Sequence, residues 1–146
     1  MTGWKRMQVA ELVRAHPVTV AQDATVSESA DLMHLYQTRE LPVTDDAGHL
    51  CGILTEADIW DFCTAHGVDC KVSEVMTRTV HCVKEQDPIF VALEVFFREG
   101  FKCLPVVDDR GVVVGTLSRC DLLVAMFDNP RFSDLLRLFS RSEEGK

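Results

Sequence analysis

The stretch Leu41-Pro42-Val43-Thr44-Asp45-Asp46-Ala47-Gly48 returns as Leu104-Pro105-Val106-Val107-Asp108-Asp109-Arg110-Gly111, 63 residues further on. The same offset pairs Val9 with Val72, Glu11 with Glu74, Val20 with Val83, Gly52 with Gly115, Leu54 with Leu117 and Asp58 with Asp121. From Val9 to Ile59, 12 of 51 aligned positions are identical without a gap. Unrelated segments of this composition would share about three. This is a tandem duplication, so whatever one copy folds into, the other must repeat. A copy of about 60 residues is marginal alone, so the two are expected to bury apolar surface in one body.

Each copy reads as the same string of elements. Val9–Val13 and Ser73–Met76 predict short helical lead-ins, and Val18–Val20 and His81–Val83 predict brief strands. Over Val26–Tyr36, Val26, Ala30 and Met33 fall at helical spacing behind Thr25, with Glu28 placed to complete a capping box. The counterpart Pro88–Glu99 opens on Asp87-Pro88, read as a cap followed by proline at the first helical position, and stops at Gly100. Strands are expected over Glu40–Thr44 and Leu50–Thr55, then over Lys102–Val107 and Val112–Ser118. Each pair is joined by an Asp-Asp-x-Gly turn whose glycine can take the left-handed backbone. Helices over Glu56–Thr64 and Arg119–Phe127 close the copies.

The fold class is therefore α+β, with two β-α-β-β-α repeats. They are expected to be related by pseudo-twofold symmetry and packed through their sheets, leaving two related clefts for small ligands. The first repeat is placed at 8–64, a connection with Gly67 as helix stop at 65–71, and the second repeat at 72–127. Asn129-Pro130 predicts a C-terminal helix over 129–140, with Phe132, Leu135, Leu136 and Phe139 in one apolar stripe. That stripe would pack on the chain's own repeats or form a dimer contact. Residues 141–146 read as a disordered tail, and Trp4 and Met7 as a flap against the body.

Composition narrows the function. Apolar residues make up 47% of the chain, which argues against wholesale disorder, yet runs such as Cys103–Val107 are far shorter than a membrane span. Net charge is −8, so the surface repels nucleic-acid polymers and anionic membranes. Met1–Gln8 lacks the apolar core of a signal peptide, and a cytoplasmic location is expected. The six cysteines form no CxxC pair and sit mostly in apolar runs, so buried small hydrophobes are expected rather than disulfides, ligands or nucleophiles. The five histidines show no metal-binding spacing, and no metal site is assigned.

The run Leu-Pro-Val-x-Asp-x-x-Gly-x-x-x-Gly-x-Leu-Thr/Ser-x-x-Asp, found twice, resembles the tandem CBS domain, named for cystathionine β-synthase. The resemblance covers roughly Gln8–Met126. Its most specific part is the pair Gly52-Ile53-Leu54-Thr55-Glu56-Ala57-Asp58 and Gly115-Thr116-Leu117-Ser118-Arg119-Cys120-Asp121. Physically, each Thr or Ser ends a strand and begins a helix, where amides and hydroxyl can meet an anion. The Asp one turn on can accept bonds from both hydroxyls of a ribose. The structural alternative is that Thr55 and Ser118 serve only as helix caps and the aspartates as first-turn charges.

The resemblance implies a regulatory module whose clefts bind an adenosine-containing ligand: AMP, ADP, ATP or S-adenosylmethionine. One cleft would hold Ser118, Asp121, Arg119 and Lys102 with His16, Pro17 and Val18. The other would hold Thr55, Asp58 and Arg39 with Thr79, Val80 and His81. Lys102, Arg39, His16 and His81 are the candidates for phosphate oxygens. Arg119 follows Ser118 where Glu56 follows Thr55, so the Ser118/Asp121 cleft is the one expected to take a charged nucleotide. A homodimer is implied, as is an unidentified effector protein that reads the ligand-driven change, since no effector domain fits in the remaining residues. No prosthetic group and no catalytic constellation is expected. The competing reading is a structural or dimerisation protein with vestigial clefts.

Overall fold

Strands rich in Val and Leu that flank Asp-Asp-x-Gly turns should form hairpins, and they do. The structure, a computed structural model, describes residues 7–78 and 80–127. After a 3₁₀ turn at Val9–Glu11 come β1 (Arg14–Ala15), β2 (Val20–Ala21), α1 (Val26–Leu35), β3 (Glu40–Thr44), β4 (Leu50–Thr55) and α2 (Glu56–His66). There follow α3 (Val72–Val75), β5 (Val83–Lys84), α4 (Ile89–Glu99), β6 (Cys103–Val107), β7 (Val113–Ser118) and α5 (Arg119–Phe127). The repeated unit β2-α1-β3-β4-α2 and its copy β5-α4-β6-β7-α5 give the expected β-α-β-β-α order.

The chain divides into two compact units that cross the sequence repeats. One contains His16–His81 and Val107–Val114. Its sheet runs β2-β3-β4, with β2 parallel to β3 and β3 antiparallel to β4, Leu41 opposite Leu54 and Val43 opposite Gly52. Val20, Met33, Leu41, Val43, Leu54, Val72 and Met76 form its core. Val72 and Met76 come from the second repeat's lead-in, which is tied down by Val26 N–H to Cys70 O at 3.0 Å and Val72 N–H to Ala24 O at 2.9 Å.

The other unit contains 7–15, 82–106 and 115–127. Its sheet runs β1-β7-β6-β5, with Arg14 opposite Thr116 and Ala15 opposite Gly115 in an antiparallel pair. Here the first repeat's lead-in is the one received: Val9 N–H donates to Asp87 O at 2.8 Å and Ala10 N–H to Glu85 O at 2.9 Å. Val9, Val83, Phe96, Leu104, Val106 and Leu117 are buried. They stand 63 residues from Val72, Val20, Met33, Leu41, Val43 and Leu54, so the duplication is a duplication of core.

Most element boundaries match the pattern in the sequence to within a residue, and the larger differences have local causes. The proline expected inside α4 is its N-cap, because Pro88 keeps an extended backbone and Ile89 is the first helical residue. Helix α2 continues to His66 before Gly67 stops it, reaching two residues into the expected connection. The first lead-in ends at Glu11, two residues early, the second is shifted one residue to Val72–Val75, and β2 and β5 begin about two residues later. Strand β1 carries no alternating pattern and was not expected. The predicted C-terminal helix, the tail and Trp4 lie outside the described residues.

None of the six cysteines is buried: Cys51, Cys63, Cys70 and Cys103 are half-buried, Cys82 and Cys120 exposed. Cys51 and Cys103 lie in strands, Cys63 and Cys120 in helices, and Cys70 and Cys82 between elements, which corrects the expectation of buried positions. Partial burial nevertheless pushes the Cys51 and Cys70 thiols above the ordinary range, which disfavours the nucleophilic thiolate. Among the described residues, no helix is long and apolar enough to cross a membrane.

Candidate functional site

Each repeat turns from strand to helix at one corner. At the first corner, Thr55 caps α2: its hydroxyl accepts from Asp58 N–H at 3.1 Å, and Asp58 Oδ2 accepts from Thr55 N–H at 3.4 Å. This is a capping box with Asp in the third position. At the second corner, Ser118 Oγ accepts from Asp121 N–H at 2.9 Å. Both hydroxyls thus cap their helices, as the structural alternative required. Capping uses the hydroxyl oxygen as acceptor and leaves its proton available to donate.

The cations named from the sequence are held at these corners by main-chain bonds. Glu56 N–H donates to Arg39 O at 2.8 Å, and Arg119 N–H donates to Lys102 O at 2.9 Å. The residue before each strand is thereby pinned to the first turn of the following helix. In the first corner Arg39 also faces Glu56, Nε to Oε2 at 3.9 Å, with both side chains well exposed. A concavity of about 480 Å³ there is lined by Arg39, Thr55, Glu56 and Trp60. Asp58, Val80 and His81 are not among its lining residues.

The structure also explains the glycine that opens each signature. Thr77 pairs with Ile53 across β4, donating and accepting at 2.9 Å. A Cβ on Gly52 would stand 2.6 Å from Met76 Sδ and 3.0 Å from Thr77 O. In the other unit, a Cβ on Gly115 would stand 2.5 Å from both Arg14 O and Val13 Cγ2. Each signature glycine therefore admits the segment that precedes a predicted ligand-facing stretch, 16–18 or 79–81.

The sequence reading missed two further residues that touch the signature aspartates. Thr77 Oγ1 donates to Asp58 Oδ2 at 3.4 Å. Arg14 forms a two-pronged pair with Asp121, Nε to Oδ2 at 2.7 Å and Nη2 to Oδ1 at 3.0 Å. Arg14, with help from the Ser118 hydroxyl, holds the Asp121 carboxyl below the usual carboxylate range. Arg14 and Thr77 stand 63 residues apart, so the alignment that revealed the repeats also contained this signal. His16, Pro17 and Val18 belong to the other compact unit from Ser118 and Asp121. His16 adopts a left-handed backbone with φ 57°. Thr79 lies outside the described residues, while Val80 is half-buried and His81 exposed.

Both corners, each with a capping hydroxyl and an aspartate one turn on, fall within segments that one family model matches. The CBS domain family model matches residues 9–59 and 72–128. The chain belongs to the CBS domain family.

Its relatives and structural neighbours agree. Inosine-5'-monophosphate dehydrogenase of Methanocaldococcus jannaschii is 34% identical over 113 residues, 77% of this chain. The chain spans only 22% of that enzyme's length. A 17.7 kDa protein of Acidianus ambivalens is 29% identical over 83% of this chain and 74% of its own. Among solved structures, the CBS domain pair of protein MJ0100, in complex with 5-methylthioadenosine and S-adenosyl-L-methionine, matches with a TM-score of 0.72 at 25% identity. The match covers 84% of this chain and 97% of that one. A CBS domain pair/ACT domain protein of Thermotoga maritima matches with a TM-score of 0.74 at 32% identity, covering 84% and 98%.

Proposed function

We propose that this CBS pair is a regulatory module that binds an adenosine-containing ligand and passes the resulting conformational change to a partner protein. The observation that carries this reading is the duplicated corner: a helix N-terminus, a capping Thr or Ser, an Asp one turn on, and Arg39 or Lys102 bonded to the helix start. A ribose diol suits the carboxylate, and a phosphate suits the helix N-terminus with its cation. Support also comes from the MJ0100 pair, whose complex holds 5-methylthioadenosine and S-adenosyl-L-methionine. Ser118, Asp121, Arg119 and Lys102 form one proposed set, with Thr55, Asp58, Arg39, Val80 and His81 the other. The Asp121 set takes the more anionic ligand, because Arg119 stands where the first corner has Glu56.

The module regulates and does not itself catalyse. The dehydrogenase matches this chain over only a fifth of its own length, so its activity does not transfer. A homodimer is supported by the exposed apolar residues Leu35, Tyr36 and Trp60 of the α1–α2 region, Trp60 being 73% exposed. Trp60→Glu should shift a sedimenting dimer to monomer, whereas an unchanged sedimentation coefficient counts against that surface. The ligand reading is tested by thermal shift with AMP, ADP, ATP, adenosine and S-adenosylmethionine. A ligand at 100 times its Kd stabilises by about 2.7 kcal/mol. Silence across the whole panel would leave a structural module, the competing reading.

A further inference from the structure

The two corners are copies, yet their aspartates have different neighbours at the same duplicated position. Thr77 gives Asp58 one long bond at 3.4 Å, to Oδ2. Arg14 gives Asp121 two short ones, at 2.7 and 3.0 Å, one to each carboxylate oxygen. Those two oxygens are the ones a ribose diol would need. Strand β1 fixes where this side chain starts: Arg14 pairs with Thr116, and its carbonyl oxygen lies 2.5 Å from where a Cβ on Gly115 would be. The guanidinium end is different, since the Arg14 side chain is 71% exposed and that of Asp121 28%. The backbone is anchored and the fork can swing.

We propose that Arg14 is a selecting latch on the Asp121 corner: it competes with a ribose for the carboxylate and yields readily only to a ligand whose phosphate receives the displaced guanidinium. The latch rests on the adenosyl-binding reading above. A phosphate-free adenosyl ligand must open the pair and leaves Arg14 without a partner, and a cationic one meets a repelling charge as well. A nucleoside phosphate replaces the carboxylate with another anion that suits the guanidinium fork. An exposed pair is weak enough for a ligand to open, and the upper end of its range corresponds to about fivefold in affinity. The latch therefore sets preference among ligands without closing the corner.

Titration calorimetry in an Asp58→Ala background isolates this corner, with adenosine and AMP as probes. Arg14→Thr installs the residue that the other repeat carries. It should bind adenosine about fivefold more tightly and AMP more weakly than the parent. Arg14→Lys keeps the charge and loses the fork, so AMP should be largely retained while adenosine gains part of the increase. If the AMP-to-adenosine ratio is the same in parent and both variants, the latch is refuted and adenosyl binding survives. If neither probe binds the parent or any variant, the ligand reading fails and the latch falls with it. Should Arg14→Thr not fold, the ratio in Arg14→Lys decides alone.

Discussion

At the scale of the residue, pairs 63 apart act as internal controls on one another. Gly52 and Gly115 occupy the same position and face different obstacles. A Cβ at Gly52 meets chiefly the flexible end of Met76, whereas at Gly115 it meets the Arg14 carbonyl and a branched valine at 2.5 Å. Overpacking that only backbone movement can relieve costs about 1–3 kcal/mol. Gly115→Ala should therefore destabilise by that amount in urea denaturation, and Gly52→Ala by less. The reverse order would show that β1 is not held as described. A second control pairs Gln37 with Gly100, both left-handed, with φ 50° and 69°. Glutamine bears a steric penalty there that glycine escapes, so Gln37→Gly should gain about 0.5–1 kcal/mol. A loss of stability instead would mean that contacts of the Gln37 side chain outweigh its backbone strain.

At the scale of the element, the hairpin turns are built alike. Asp45 Oδ1 accepts from Ala47 N–H at 3.0 Å and His49 N–H at 2.9 Å, and Asp108 Oδ1 accepts from Arg110 N–H at 2.8 Å and Val112 N–H at 3.0 Å. The turns also meet in one unit, where Leu50 N–H donates to Gly111 O and Val113 N–H to Gly48 O. The bond from His49 N–H chiefly lowers the Asp45 pKa, and that from Val112 N–H the Asp108 pKa. A carboxylate depressed by folding stabilises above its unfolded pKa, about 3.9, and that contribution disappears as pH falls through the folded value. Stability should thus fall as pH drops below about 4. Asn keeps the acceptor oxygen without titrating there, so the double variant Asp45→Asn, Asp108→Asn should lose less stability across that window. Urea midpoints measured from pH 5 to about 2 check this, and parallel curves would discard the turns as the source.

These turns were legible in the sequence, as were the α1 capping box and the Gly100 stop, because each is a local pattern of a few residues. Strand β1 was not. Two exposed residues, Arg14 and Ala15, carry no periodicity, and their pairing with β7 is decided by the missing side chain of Gly115. The corners could be named from Thr55, Asp58, Ser118 and Asp121. The occupation of Asp121 by Arg14, 107 residues away, required the fold. Pro88 misled for a local reason: its fixed φ suits the N-cap as well as the first turn.

At the scale of the molecule, the decisive feature is the exchange of lead-ins. The first unit's core includes Val72 and Met76, and Val9 is buried in the other unit, so each sequence repeat lacks part of the core it helps to form. Cutting at the repeat boundary is therefore the wrong cut. A fragment of residues 8–64 loses Val72 and Met76, together with the bonds from Val72 N–H to Ala24 O and from Ser73 N–H to Gln22 O. Removing that much buried side chain costs several kcal/mol, comparable to the whole stability of a small domain. A fragment of 16–81 keeps those residues and discards Val9, which serves the other unit. The expected outcome is an unfolded 8–64 and a 16–81 fragment with measurably more helix by far-UV circular dichroism, partly protected in hydrogen exchange at Val72 and Met76. Equal disorder in both would mean that the Val107–Val114 turn, absent from each, is indispensable to the unit. Greater order in 8–64 would show that the repeat, and not the spatial unit, is the folding element.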